Sequence, residues 1–73
     1  MVSKSDLKVL EVYEVLGETR YRVCVKGTNL LVNVSATSEN EALEKATSIL
    51  AQVGLDDESL EKLRRIVGNR ALC

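Results

Sequence analysis

Residues 21–50 read YRVCVKGTNLLVNVSATSENEALEKATSIL, and this stretch decides the fold. Tyr21-Arg22-Val23-Cys24-Val25 alternates apolar and polar in the manner of a strand, and Lys26-Gly27-Thr28 interrupts it. A second β-rich run follows from Leu30 to Val34. Gly27-Thr28 suits a two-residue hairpin of type II′, with Gly at the first central position. That turn pairs Val25 with Leu30, Val23 with Val32 and Tyr21 with Val34. All six residues then share one face, as strand alternation requires.

The same stretch starts a helix. Ser38 is an N-cap with Glu41 at N3, a capping box. Ala42, Leu43, Ala46, Ile49, Leu50 and Val53 form its apolar stripe, and Gly54 is a natural C′ residue. Beyond it, Asp56 caps a second helix, and Leu55 is placed to staple onto Leu60. Leu60, Leu63, Ile66 and Val67 are its expected buried side. Asp57 and Glu58 in the first turn and Arg64 and Arg65 near the end match the helix dipole.

Outward in the other direction, Leu7–Leu16 is a further β-rich run, giving three: Leu7–Leu16, Thr19–Lys26 and Asn29–Ala36. A two-residue Gly17-Glu18 turn closes the first hairpin. It turns Leu10, Val12 and Leu16 inward, with Glu14 near one end. Tyr13 then lies opposite Arg22, and Glu11 opposite Cys24. A three-residue loop would reverse those faces and bring Glu11 inward.

The fold class is therefore α+β: a three-stranded antiparallel meander followed by two helices packed on one face, a βββαα two-layer sandwich. Residues 1–73 form a single small domain, whose ends, 1–6 and 69–73, are open to being either ordered or frayed. Three strands make a sheet only ~14 Å wide. Two helices side by side need ~18–20 Å. The second helix should overhang unless another strand widens the platform.

Composition excludes much. A chain of 73 residues has a small core, and such scaffolds often rely on a disulfide, a metal or a second subunit. There is no His and there are two Cys, so no zinc spacing exists and no metal or cofactor is expected. A Cys24–Cys73 bridge is open, though it would tie a strand to a fraying end. Two unpaired thiols would fit a reducing, cytoplasmic compartment. Net charge is −1, and no segment is long and apolar enough to span a bilayer, so no membrane partner is expected.

Two surfaces carry the functional expectation. The outer sheet face presents Tyr13, Arg20, Arg22, Cys24, Lys26, Leu31 and Asn33, together with Val9 and Val15. The third run is the other: from residue 28 to 38 it has no charged side chain, yet in a meander it is an edge, and edges are usually blunted by charge or Pro. Residues 1–6 or the second helix would have to cover it if nothing else pairs with it. Cys24 lies between Arg22 and Lys26, which favours thiolate. With no base beside it, nucleophilic catalysis lacks its parts. No catalytic residue is assigned, and the chain reads as a non-enzyme.

The run from Tyr21-Arg22-Val23-Cys24-Val25 to Glu41-Ala42 loosely resembles the arm-binding domains of tyrosine recombinases, in which a basic meander leads into a Glu-Ala helix. Those domains are more basic where this chain has Leu30-Leu31-Val32-Asn33. The signature from Val34 to Ala46 also looks like segments of antitoxin-type half-sheet proteins and of an archaeal large-subunit ribosomal protein. It covers about a fifth of the chain and follows from capping and helix packing alone, so it implies no family. The expected function is a small non-enzymatic interaction or regulatory module. It would bind itself, as a homodimer, or another protein through the third-run edge or the outer face. The alternative is a weak nucleic-acid-binding domain using Tyr13, Arg20, Arg22 and Lys26.

Overall fold

A computed structural model describes residues 2–73; Met1 lies outside the described residues. Three strands, β1 (Leu7–Val15), β2 (Glu18–Val25) and β3 (Leu31–Ser35), form an antiparallel sheet in the order β1-β2-β3. Two helices follow, α1 (Glu39–Gln52) and α2 (Asp57–Val67). The βββαα architecture read from the sequence is the one observed.

The β2–β3 register also agrees: Tyr21 pairs with Val34 and Val23 with Val32, and the Val25 N–H donates to Leu30 O at 3.0 Å. The turn is centred one residue earlier than the sequence suggests. The Thr28 N–H donates to Val25 O, so Lys26 and Gly27 are the central residues, with Gly27 at φ +79°. The Thr28 hydroxyl, fully buried, donates to the same carbonyl at 2.7 Å and accepts from the Leu30 N–H at 3.0 Å. A threonine thus replaces the second backbone bond of the hairpin.

The first hairpin differs from expectation. Val15 pairs with Glu18, so the turn is Leu16-Gly17. Both residues have positive φ, +52° and +83°, the pattern of a type I′ turn. The register is thereby shifted by two: Tyr13 faces Arg20 and Glu11 faces Arg22. A bulge between Val9 and Glu11 adds a second change. It turns Val9 to the core side and leaves Leu10, expected inward, 40% exposed. Leu16, also expected inward, is fully exposed.

The core is built from Val23, Val25 and Val34 of the sheet, Ala42, Ala46 and Leu50 of α1, and Leu60 of α2. Two alanines at closest approach let α1 lie low on β2 and β3. Ser38 caps α1 as expected, accepting from the Glu41 N–H at 3.1 Å. The Glu41 carboxylate, however, accepts from the Thr37 hydroxyl at 2.6 Å and pairs with Lys45, so the reciprocal half of the box falls one residue early. The helix ends in a Schellman motif: Leu55 N–H to Leu50 O, and Gly54 N–H to Ala51 O. Asp56 then caps α2 through the Ser59 N–H.

Both chain ends make contacts with the rest of the fold among the described residues. Val2 is buried in the core, and Lys4 reaches Asn40 and Glu44 on α1. At the other end Leu72 N–H donates to Thr28 O, Gly27 N–H donates to Cys73 O, and Cys73 is disulfide-bonded to Cys24. The bridge removes the support that unpaired thiols would have lent to a reducing compartment. No helix among the described residues is long and apolar enough to cross a membrane.

Helix α2 is anchored at the end of the sheet. Arg64 is its clamp: Nε donates to Lys26 O at 2.9 Å, and the guanidinium pairs with Asp6 at 3.4 Å. Ile66, expected on the buried side, is 71% exposed.

Candidate functional site

In an antiparallel ladder, residues alternate between those whose backbone groups face the partner strand and those whose groups face away. The bonds Val25 N–H to Leu30 O and Ala36 N–H to Thr19 O fix that alternation here. Leu30, Val32, Val34 and Ala36 direct their N–H and C=O groups to β2. Leu31, Asn33 and Ser35 direct theirs away from it, along the open edge of the sheet.

Among the described residues, nothing expected to cover this edge does so. Residues 2–5 lie against the opposite flank of α1, where Val2, Ser3, Lys4 and Ser5 border a groove with Thr47. Helix α2 is held at the 26–28 turn by Arg64. One device does blunt the edge, and the sequence did not reveal it: the Lys45 ammonium, from α1, donates to Ser35 O at 2.6 Å. Lys45 lies ten residues downstream of Ser35 and outside the strand, so only the folded chain brings them together. Leu31 and Asn33 have no such protection.

Beside the edge runs an open groove of about 420 Å³, lined by Asn33, Val34, Ser35, Lys45, Ser48 and Ile49. Ile49 is 38% exposed and Val53, one turn further along α1, is 73% exposed. Both belonged to the apolar stripe expected in the core. The sheet-facing line is Ala42-Ala46-Leu50, which leaves Ile49 on the flank toward β3, while Val53 overruns the core at the C-cap. A stripe centred on the two alanines would have separated Ile49 from the core in the sequence itself.

The expected outer-face residues divide. Tyr13, Arg20, Arg22 and Asn33 are brought together, but the cations among them are already engaged. The Arg22 guanidinium pairs with Glu11 at 3.6 Å and lies 5.7 Å from the Tyr13 ring centroid. Arg20 pairs with Glu18 at 3.0 Å. Lys26 sits in the turn, its N–H donating to Asp6 O. Cys24, expected to be displayed, is fully buried beneath the chain end that carries Cys73. Leu31, opposite Cys24, is 40% exposed.

One carboxylate near the folded N-terminal end is held ionised. The Asp6 carboxyl lies below the ordinary carboxylate range, first because the Ser3 N–H donates to it, and also because Arg64 lies beside it. Among the described residues, no group of three or more His, Cys, Asp or Glu could hold a metal ion. What this site offers is hydrogen-bonding backbone beside an apolar flank, chemistry suited to an extended chain. The sequence matches none of the protein families, curated proteins or solved structures with which it was compared.

Proposed function

We propose that this protein is a small non-enzymatic interaction module that takes up an extended strand along β3. The observation that carries this reading is the open edge from Leu31 to Ser35, uncharged in sequence and flanked by exposed Ile49. Main-chain pairing would supply affinity, and pockets for alternate side chains would supply selectivity. Lys45 at one end sets a limit to the paired length.

Backbone amide exchange at Leu31, Asn33 and Ser35 tests the reading. It is followed in a concentrated sample and in a dilute one with peptides selected from a short random library. Slow exchange in either condition, lost in Asn33→Pro, is the expected result. Asn33 is the right site because its N–H points away from β2, so proline there removes an edge donor and no internal ladder bond. Free exchange of these amides under both conditions overturns the reading.

The nucleic-acid alternative loses ground because Arg20 and Arg22 are neutralised by Glu18 and Glu11. Retention on a DNA column at low salt, abolished by Arg22→Glu, would restore it. A cytoplasmic location belongs to the proposal as well, and the Cys24–Cys73 bridge weighs against it, since such bonds persist mainly in oxidising compartments. Thiol blocking on cell lysis, followed by a non-reducing gel, reports the state of the pair.

A further inference from the structure

Resting on the edge-pairing reading, we infer that the strand β3 accepts is β3 of a second copy, related by a two-fold axis through Asn33. The two sheets then form one continuous sheet of six strands, with the two α1 helices on the same side facing each other across the seam.

The register follows from which backbone groups point outward. An antiparallel pairing must match outward-facing residues with outward-facing residues. Centring on Asn33 pairs Asn33 with its own copy, and Leu31 with Ser35 of the second copy. The Ser35 carbonyl already accepts from Lys45, and its second lone pair serves the Leu31 N–H of the other chain. On the helix side, Val32 of each chain meets Val34 of the other. On the outer face the two Asn33 amides lie side by side and hydrogen-bond to each other.

The uncharged edge suits a second copy as the occupant. In an antiparallel self-pairing, a charge close to the two-fold axis meets its own like charge, which is unfavourable. Residues 28–38 carry none. The nearest charge is Lys45, fixed at Ser35. Across the two-fold axis Ser35 stands beside Leu31 of the other chain. The two Ser35 positions are thus ~13 Å apart along the strands. That exceeds the screening length of ~8–10 Å at moderate salt, so the two lysines do not oppose pairing.

The same axis accounts for an exposed side chain that the monomer leaves unexplained. The core places α1 over β2 and β3 through Val23, Val25 and Val34. Strands ~4.8 Å apart then set the two α1 axes about 10–14 Å apart. That is close to helix-packing distance, with Ile49 of each helix filling the space between.

The test uses the full chain with its disulfide intact. Light scattering across a concentration series should give twice the 8.0 kDa chain mass at the upper end. Asn33→Pro should remain folded by circular dichroism and raise the dimer dissociation constant at least a hundredfold. Ile49→Glu, on the surface of α1 and harmless to the strand ladder, should do so at least tenfold. Asn33→Cys should be joined to its copy by a short bis-maleimide, whereas Glu44→Cys, on the far flank of α1, should not.

A wild-type chain that stays monomeric while a selected peptide protects the edge amides overturns the second copy and leaves edge pairing intact. Loss of the dimer in Asn33→Pro with no cross-link at position 33 overturns the register alone. A dimer indifferent to Asn33→Pro and Ile49→Glu, with edge amides exchanging freely, overturns both this inference and the reading beneath it.

Discussion

Leu16 and Gly27 show how one backbone angle can be read in two directions. Leu16 holds φ +52° with its side chain fully exposed, so it bears left-handed strain and gains no burial. Leu16→Asn should therefore stabilise the fold by about 1 kcal/mol, a rise of ~4–8 °C in the thermal midpoint for a domain of this size. Gly27 has φ +79°, and a Cβ there would stand 3.0 Å from Arg64 Nε and 3.1 Å from its Cγ. Gly27→Ala should cost about 1–2 kcal/mol in denaturant melts, from left-handed strain and displacement of the clamp. If the two variants moved stability in the same direction, the assigned turn geometry would be wrong.

At the scale of the element, caps govern how each helix responds to acid. Asp6, Glu41 and Asp56 all lie below the ordinary carboxylate range. The leading causes are the Ser3 N–H for Asp6, the Thr37 hydroxyl for Glu41 and the Ser59 N–H for Asp56. A carboxyl whose folded pKa is depressed binds its proton more readily when unfolded. Its contribution is present above the ordinary value of about 4 and is lost as pH falls through the lowered folded value. The thermal midpoint should thus fall between pH 5 and pH 2, and Asp56→Asn should flatten that fall while keeping the neutral-pH midpoint, since Asn also caps. An unchanged acid profile in that variant would remove Asp56 from the account. Ser38→Ala should cost about 1 kcal/mol at any pH.

At the scale of the whole molecule, three long-range ties hold the chain ends: Val2 in the core, Arg64 on Lys26 O, and the Cys24–Cys73 bridge. The bridge spans a sequence separation of 49 and should stabilise by about 4 kcal/mol through the unfolded chain. A reductant or Cys73→Ser should lower the unfolding midpoint accordingly, and amides of residues 68–73 should exchange faster. A midpoint unmoved by reductant would mean that the backbone bonds from Gly27 and Leu72 suffice to hold the chain end.

Patterns confined to one element were legible in the sequence. Alternation in residues 21–34, the Ser38 and Asp56 caps and the Gly54 terminus each depend on neighbours a few residues away, so local chemistry determined them. The first hairpin departs from the sequence expectation because Leu16-Gly17 and Gly17-Glu18 are both admissible turns. Choosing between them takes the bulge at Leu10, which arises from pairing with β2. The candidate site was half legible. The uncharged third strand could be seen directly, and a stripe centred on Ala42 and Ala46 places Ile49 on the flank, whereas Lys45 on Ser35 and the burial of Cys24 could not be seen. Those depend on how α1 and the C-terminal residues lie across the sheet. Only tertiary structure sets such contacts, because residues far apart in the chain meet there through packing that no local preference encodes.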